Sequence, residues 1–425
     1  MDGFARNALL LFVAMRVGDF VSVAAGMWFV PRYVSPEDIG AVLPVSSFAT
    51  FLSLPMFAFA MTVMKESAGL SAAGRRGQVK TLLEGVFVAV AAIMLAVLSA
   101  SAVAAPHFLR AMRVSDASVG FLVVAAAFLG CVAPVYTDAL QSLRRFRALA
   151  AVEVAGSALR FCVMLCTMPL RALAGYFAGQ AALPAFRIAG SALALRRDLA
   201  VPAEPYWDRA AVRRMASAFL AIAIYQGVPM AASLVEQSLL RTRLAALDSA
   251  GYYMVSRFSD FLHCLTLPLL LVMFPYTAAA AQRSGSTRPY VLGCSAVTLA
   301  AAAAMATAYR FLGTPLLSLV PHGPDYAAYA PCMPWLVAIT ALTSCQVFYT
   351  NAEVSAGRFG FLAWLVPLHV LYSAALWAAA AKGWVADLPT MLAWFGAASA
   401  ARFAFAAAAT LPRRRRKFRG DGHAA

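Results

Sequence analysis

Apolar residues along this chain come in uninterrupted runs of roughly 20, separated by short polar segments. Strict alternation of polar and apolar positions is missing, so a closed barrel of about 10-residue strands is excluded. The runs predict twelve helical spans, at 8–30, 41–64, 82–105, 117–139, 148–169, 172–194, 216–239, 252–280, 290–310, 327–350, 360–381 and 388–411. The eighth is the longest, which implies either tilt or extension beyond the bilayer. Helices satisfy their own backbone hydrogen bonds, which hydrocarbon demands. The expected fold is therefore all-α and integral to a membrane.

Composition sharpens this. Hydrophobic residues make up 62% of the chain and charged ones 13%, with mean hydropathy +0.74. A soluble domain carries about 25% charged residues, so a water-facing shell is out of reach here. The net charge of +16 would suggest nucleic acid in a soluble protein, but these bases sit between apolar runs. Anionic membrane lipids are the better partner, and no nucleic acid is expected. Counting Lys and Arg, the termini and even-numbered loops hold 22 and the odd loops 8. That bias puts both termini in the cytoplasm and favours an even number of spans. The tail Arg413-Arg414-Arg415-Arg416-Lys417 then anchors to lipid headgroups. The seven cysteines lack the spacing of a zinc or redox motif. Cys162 and Cys166 share a helix face, a pattern of packing more than of metal binding. The first run, with Arg16 and Asp19 inside it, lacks the cleavage site of a signal peptide.

The longest hydrophilic stretch, around Arg196 to Arg214, divides the chain near its middle. It predicts a six-helix bundle at 1–197, a cytoplasmic linker at 198–214, a second bundle at 215–411 and a basic tail at 412–425. Three landmarks repeat between the halves: Gly40 and Gly251 at an offset of 211, Pro55 and Pro268 at 213, and Arg145-Phe146 and Arg358-Phe359 at 213. Two halves of six helices insert the same way, related by an axis along the membrane normal.

Three segments carry a family resemblance. Arg32-Tyr33-Val34-Ser35-Pro36-Glu37-Asp38-Ile39-Gly40 resembles the loop after the first helix of polysaccharide-export flippases. Leu140-Gln141-Ser142-Leu143-Arg144-Arg145-Phe146 is similar to their loop after helix four, and Ala250-Gly251-Tyr252-Tyr253 to the start of their helix eight. The family is the Wzx-like O-antigen branch of the multidrug/oligosaccharidyl-lipid/polysaccharide (MOP) exporter superfamily, whose fold is MATE-like. The resemblance implies a multi-pass transporter of the bacterial inner membrane. It would move undecaprenyl-pyrophosphate-linked oligosaccharide to the periplasmic leaflet for lipopolysaccharide or other surface polysaccharide synthesis. It also implies polysaccharide polymerase or assembly proteins as partners, and no cofactor. Lipid II flippases of the same superfamily usually have two further helices, which this sequence does not show.

Charges inside spans are the candidate site. Each costs about 2.5–3.5 kcal/mol at mid-membrane and needs an interior partner. Five arginines lie within spans: Arg16, Arg160, Arg187, Arg257 and Arg402. Arg16 and Asp19 share one helix face, as do Arg257 and Asp260, with His263 a further three along. Glu236 ends the seventh span. The resemblance places helices one, two, seven and eight around a central cavity, so the expected substrate-binding residues are Arg16, Asp19, Glu236, Arg257, Asp260 and His263. Guanidinium forks suit phosphate oxygens.

Structural readings stay open beside this one. Arg16 with Asp19 reads equally as a locking ion pair, Arg257 as a snorkelling residue, Glu236 as interfacial and His263 as a packed side chain. Asp138, Glu153 and Arg160 favour mutual pairing, and Arg187 and Arg402 read as structural or interfacial. Pro44, Pro55, Pro229, Pro268 and Pro275 read as hinges or as static kinks. A multidrug/cation antiporter of the same superfamily, whose cavity should favour acids and aromatics, and a lipid II flippase are the alternatives. An enzyme is not expected. No phosphate-binding loop is present, and the longest odd loop offers only His322 and Asp325 as titratable groups. Coupling to a proton, a sodium ion or the membrane potential is left undecided by the residues.

Overall fold

The structure, a computed structural model, describes Val13, Arg16 and residues 18–54, 59, 63, 66, 67, 70, 74–143, 145–198, 200–282 and 286–410. Pro55, Lys65, Arg144, Arg283 and the Arg413–Lys417 tail lie outside the described residues.

The described chain is all-helical, with no strand among the described residues. Helix α1 covers 18–33 and carries a π turn at Ala25–Phe29. It is followed by α2 (Pro36–Leu52), α3 (Arg76–Ala111) and α4 (Ala117–Ser142). The segment Phe146–Leu195 is two helices, α5 and α6, broken at Arg171 and Ala172. Then come α7 (Arg209–Arg243), α8 (Ala246–Gln282), α9 (Arg288–Ser318), α10 (Met333–Ser355), α11 (Leu362–Ala381) and α12 (Leu388–Thr410). This is the predicted order, with longer helices. Eight helical segments, among them the whole of Phe146–Leu195, are long and apolar enough to cross a membrane. At 1.5 Å per residue the 36 residues of α3 reach about 54 Å, well past a hydrocarbon core of about 30 Å. The predicted start of the tenth span, 327–332, is instead a 3-10 turn. Pro331 there cannot donate the backbone hydrogen bond that an α-turn would use.

Side chains define several helix starts. Ser35 accepts from Asp38 N at 3.1 Å, with Pro36 as the first helical residue of α2. Asp116 Oδ1 accepts from Ser118 N at 2.8 Å, and Asp387 Oδ1 from Thr390 N at 2.9 Å. The side-chain hydroxyls of Ser118 and Thr390, together with these backbone N–H groups, hold both carboxyls below their ordinary 3.8.

The break in α5–α6 is a hairpin turn. Ala172 takes φ +41°, and the chain folds back on itself. Thr167 Oγ1 donates to Gly175 O at 3.1 Å. A Cβ on Gly175 would lie 2.5 Å from Met168 N, so only glycine allows that approach. Further from the turn, Gly156 meets Leu183, and Glu153 meets Arg187. Residues about equally far from the turn therefore face each other.

The α6–α7 connection is strapped to the start of α3. Lys80 Nζ donates to Val201 O at 3.1 Å, Glu204 N to Gly77 O at 3.3 Å, Thr81 Oγ1 to Glu204 O at 2.7 Å, and Trp207 Nε1 to Thr81 O at 3.1 Å. The Trp207 indole lies on Gly85, where any side chain would displace it. Arg145 bonds Asp198 at 2.9 Å.

The two sets of six helices meet chiefly through α2 against α7 and α8, with α1 also against α8. A Cβ on Gly40 of α2 would lie 2.7 Å from Ser249 Cβ and 3.4 Å from Ala250 N of α8. Its repeat counterpart Gly251 is closer still to a neighbour, since a Cβ there would lie 2.4 Å from Tyr329 Cδ2. Arg241, buried at the end of α7, donates from Nε to Met112 O at 3.1 Å, joining α7 to the end of α3.

Candidate functional site

Helices α1 and α8 run antiparallel, and their register assembles most of the predicted charges. Arg16 Nη1 donates to Cys264 O at 3.0 Å. Ten residues on, Tyr253 donates its hydroxyl to Gly26 O at 3.2 Å. A Cβ on Gly26 would come within 3.1 Å of Arg257 Cδ, so the bare backbone there makes room for the arginine stem. This register sets Asp19 near the level of Asp260, and the charges of Asp19, Arg16 and Asp260 all act on Cys264 between them.

Within each helix the spacing of three produces the expected pair. Arg16 Nη2 meets Asp19 Oδ2 at 2.8 Å, and Arg257 Nη1 meets Asp260 Oδ2 at 3.0 Å. The Asp19 side chain is 44% exposed, so the protein itself does not enclose this pair. The Arg257 guanidinium also lies over the Tyr253 ring, 5.1 Å from its centroid, and its Nε is buried with no hydrogen-bond partner. His263, one turn beyond Asp260, has an exposed side chain on which the charges of Asp260 and Arg257 act. Five of the six predicted residues therefore come together.

Glu236 does not join them. It lies on α7 facing the Tyr372 hydroxyl and the Arg402 guanidinium, with Tyr252 between it and the Arg257 pair. Arg402 Nη1 donates to His369 Nε2 at 3.0 Å, which leaves the His369 proton on Nδ1, donating to Leu365 O at 2.9 Å. Arg402 Nη2 also donates to Ser399 Oγ at 3.1 Å. This second polar cluster ties α7, α11 and α12 together.

On α5 and α6 stand two arginines for which the sequence favoured structural roles. Arg187 Nη2 bonds Glu153 Oε2 at 2.5 Å across the α5–α6 hairpin. Arg160 Nη2 donates to Ser22 Oγ and, at 3.4 Å, to Gly18 O, both on α1. The expected pairing of Glu153 with Arg160 is thus replaced by Glu153 with Arg187. A signal for it existed: the two residues are nearly equidistant from the turn between the fifth and sixth spans, so an antiparallel hairpin brings them level. Arg160 gave no such signal, because its partners are a hydroxyl and a carbonyl. Among the described residues no group of three or more His, Cys, Asp or Glu could hold a metal ion.

Around α1 the chain thus gathers Arg16, Arg160, Arg187 and Arg257 with Asp19, Glu153 and Asp260. Four guanidinium groups face three carboxylates, a surplus of one positive charge. Chemically this is an anion-favouring polar centre inside an apolar helical shell, able to replace the water around a phosphate ester.

No protein-family model matches this chain, and no curated protein matches it by sequence. Solved structures match it by shape. An inward-facing multidrug resistance MATE family transporter of the MOP superfamily aligns over 95% of this chain and 98% of its own, at 12% identity, with a TM-score of 0.67. An outward-facing transporter of that description aligns over 96% and 94%, at 13% identity and a TM-score of 0.64. A MATE structure in a bent conformation aligns over 96% and 95%, at 14% identity and a TM-score of 0.63. Identities this low speak for the fold, and the fold of this chain is MATE-like, all-helical and suited to a membrane.

Proposed function

We propose that this protein is an alternating-access transporter of the bacterial inner membrane that flips lipid-linked, pyrophosphate-bearing oligosaccharide. In this reading residues 1–197 and 215–411 are two six-helix bundles that rock against each other, with both termini in the cytoplasm. The observation that carries it is the arginine surplus around α1, where four guanidinium groups meet three carboxylates. A drug cation would be repelled by that surplus, whereas a diphosphate is attracted. The fold supports the mechanism, since solved MATE structures of this shape occur in inward- and outward-facing forms.

The physical task is solvation. The prenyl tail stays in hydrocarbon while the diphosphate and sugars travel through the polar centre. Arg16 and Arg257 offer N–H donors there, and Asp19, Asp260 and His263 offer partners for sugar hydroxyls. No covalent step is needed. The membrane potential contributes about 2.3 kcal/mol per elementary charge per 100 mV, enough to bias the direction. Surface polysaccharide polymerases or assembly proteins would take up the product.

A second reading, a multidrug or cation antiporter, is favoured by the fold neighbours, two of which are multidrug resistance transporters. One assay separates the two. Purified protein in liposomes is offered a prenyl-diphosphate oligosaccharide and, separately, a lipophilic cation. Translocation of the glycolipid, reduced at least tenfold by Arg16→Ala or Arg257→Ala in protein that still inserts, is the expected result. Cation efflux without glycolipid movement would overturn it.

A further inference from the structure

Helix α3 turns one face to the core and the other outward. Val79, Leu82, Val86 and Val90 are buried against α4 and the start of α5. The opposite stripe holds Lys80, Glu84, Val88 and Leu95 at helical spacing, with Val88 65% and Leu95 67% exposed. An exposed apolar stripe on a spanning helix faces lipid. Glu84 is the one acidic residue of α3 and stands in that stripe. It is exposed, and among the described residues it has no hydrogen bond or ion pair. A carboxylate on the lipid side of a span is costly unless a cation meets it.

Glu84 lies about two turns from the even-loop end of α3. A helical side chain leans toward the N-terminus, which brings the carboxylate toward that end. Trp207, an exposed indole beside Gly85, stands there, as tryptophans do at headgroup level. A groove of about 350 Å³ opens at this point, lined by Lys80, Glu84, Phe87, Val88, Val135 and Tyr136. Lys80 spends one N–H on Val201 O and keeps two. A second groove, bounded by Gly85 and Trp207, lies against the same Glu84 and Val88. Two apolar channels thus flank one ridge that carries a carboxylate without a cation and, one turn away, an ammonium with spare donors. That pattern complements a zwitterionic headgroup on a lipid with two chains.

We infer that this face of α3 is a binding site for a phospholipid with an ethanolamine headgroup, taken from the leaflet on the even-loop side. The primary ammonium pairs with Glu84, the phosphate meets the spare donors of Lys80, and the acyl chains lie along the two grooves. A glycerol headgroup brings no cation to Glu84, and its net negative charge is repelled there. A choline headgroup brings a cation without N–H donors. The bound lipid also rests on Trp207, whose indole holds the α6–α7 connection to α3 through Thr81 O. Lipid binding therefore fastens that strap. The site uses none of the charges around α1, so it stands whatever the transported molecule is.

The test uses the delipidated full chain in detergent, titrated with phosphatidylethanolamine, phosphatidylglycerol and phosphatidylcholine of matched chains. Native mass spectrometry counts the lipid-bound species. Wild-type protein should hold phosphatidylethanolamine about fivefold more tightly than either other lipid, the upper end of what one exposed charge pair gives. Glu84→Gln should lose that preference. Glu84→Lys should reverse it in favour of phosphatidylglycerol. Glu353→Gln, which removes a carboxylate at the even-loop end of the second set of helices, should keep it. Equal affinity for the three lipids, or an unchanged preference in Glu84→Gln, would overturn the site. A wild-type preference for phosphatidylglycerol would overturn it too, since the basic loops alone would then account for the binding.

Discussion

The two ends of the helical barrel of spans are built differently. At the end carrying the odd-numbered loops, one continuous apolar cluster runs from Val30, Ile39 and Val42 through Leu109 and Val114 to Leu240, Ala250, Leu317 and Leu388. It joins helices from both sets of six. Polar bonds reinforce it: Arg241 reaches Met112 O, and Tyr329 donates to Asp248 at 2.8 Å. At the even-loop end the described core is divided. One cluster joins α3, α4 and the start of α5 with Leu195 and Met215. Two others, around Met273, Phe348 and Ala406 and around Tyr225 and Leu365, lie wholly within the later helices. Helix α7 is the exception, since Phe219 stacks on Phe59 with ring centroids 4.4 Å apart. The contrast teaches that the two sets share one apolar core at the odd-loop end and, helix α7 apart, keep separate cores at the other.

The strongest way to break that contrast is a covalent lock. In a cysteine-free background, Glu37→Cys with Leu247→Cys, exposed positions flanking the Gly40–Ser249 approach, should be bridged by a bifunctional thiol reagent that contains a reducible bond. Transport should stop on treatment and return on reduction. The control pair, Thr81→Cys with Glu204→Cys, lies within the even-loop strap and should leave transport unchanged after the same treatment. Equal inhibition by both pairs would contradict a seal confined to the odd-loop end.

A smaller effect is expected from Arg241→Ala. It leaves the Met112 carbonyl buried without its charged donor, a loss of about 2 kcal/mol. Spin labels at 37 and 247 should then report a wider, broader distance distribution, and thermal unfolding in detergent should begin earlier. An unchanged distribution would remove Arg241 from the seal.

At the even-loop end, Arg145→Ala should cost less than about 1 kcal/mol, because its pair with Asp198 has one partner half-exposed. Thermal unfolding is the measurement, and a loss as large as that of Arg241→Ala would erase the distinction between the ends.

The smallest effect concerns pH. Asp116 and Asp387 cap α4 and α12, and both have folded pKa values below 3.8. Their contribution is therefore complete above the unfolded pKa near 4 and is lost as pH falls through the lowered folded values. The apparent melting temperature should decline below about pH 4, and Asp116→Asn with Asp387→Asn should flatten that decline. An identical acid profile in the double variant would deny the caps a role.

Much of the fold was legible because hydrocarbon imposes a simple rule: long apolar runs must be helices. The break between the fifth and sixth spans was placed at 170–171, and the chain turns at Arg171 and Ala172. Boundaries slipped where helices run on past the apolar region, as in α3, since a helix does not end where hydrophobicity does. The site was legible in part. Arg16 with Asp19, and Arg257 with Asp260, pair within one helix, so spacing alone found them. Glu236 was grouped with them through the expected cavity lining, yet it faces Tyr372 and Arg402 across α11 and α12. Arg160 was read as structural because nothing nearby in sequence marks its contact with Ser22, 138 residues away.

By itself, the sequence determined that this chain is a membrane-embedded set of about twelve helices with costly charges inside, because hydropathy and local spacing act along the chain. Only the tertiary structure decided which of those charges meet and at which end the two sets share a core. Those outcomes depend on the register between helices distant in sequence, and that register is set by close approaches such as Gly40 on Ser249 and Gly26 on Arg257, where the lack of a side chain makes room for a neighbouring helix or its arginine stem.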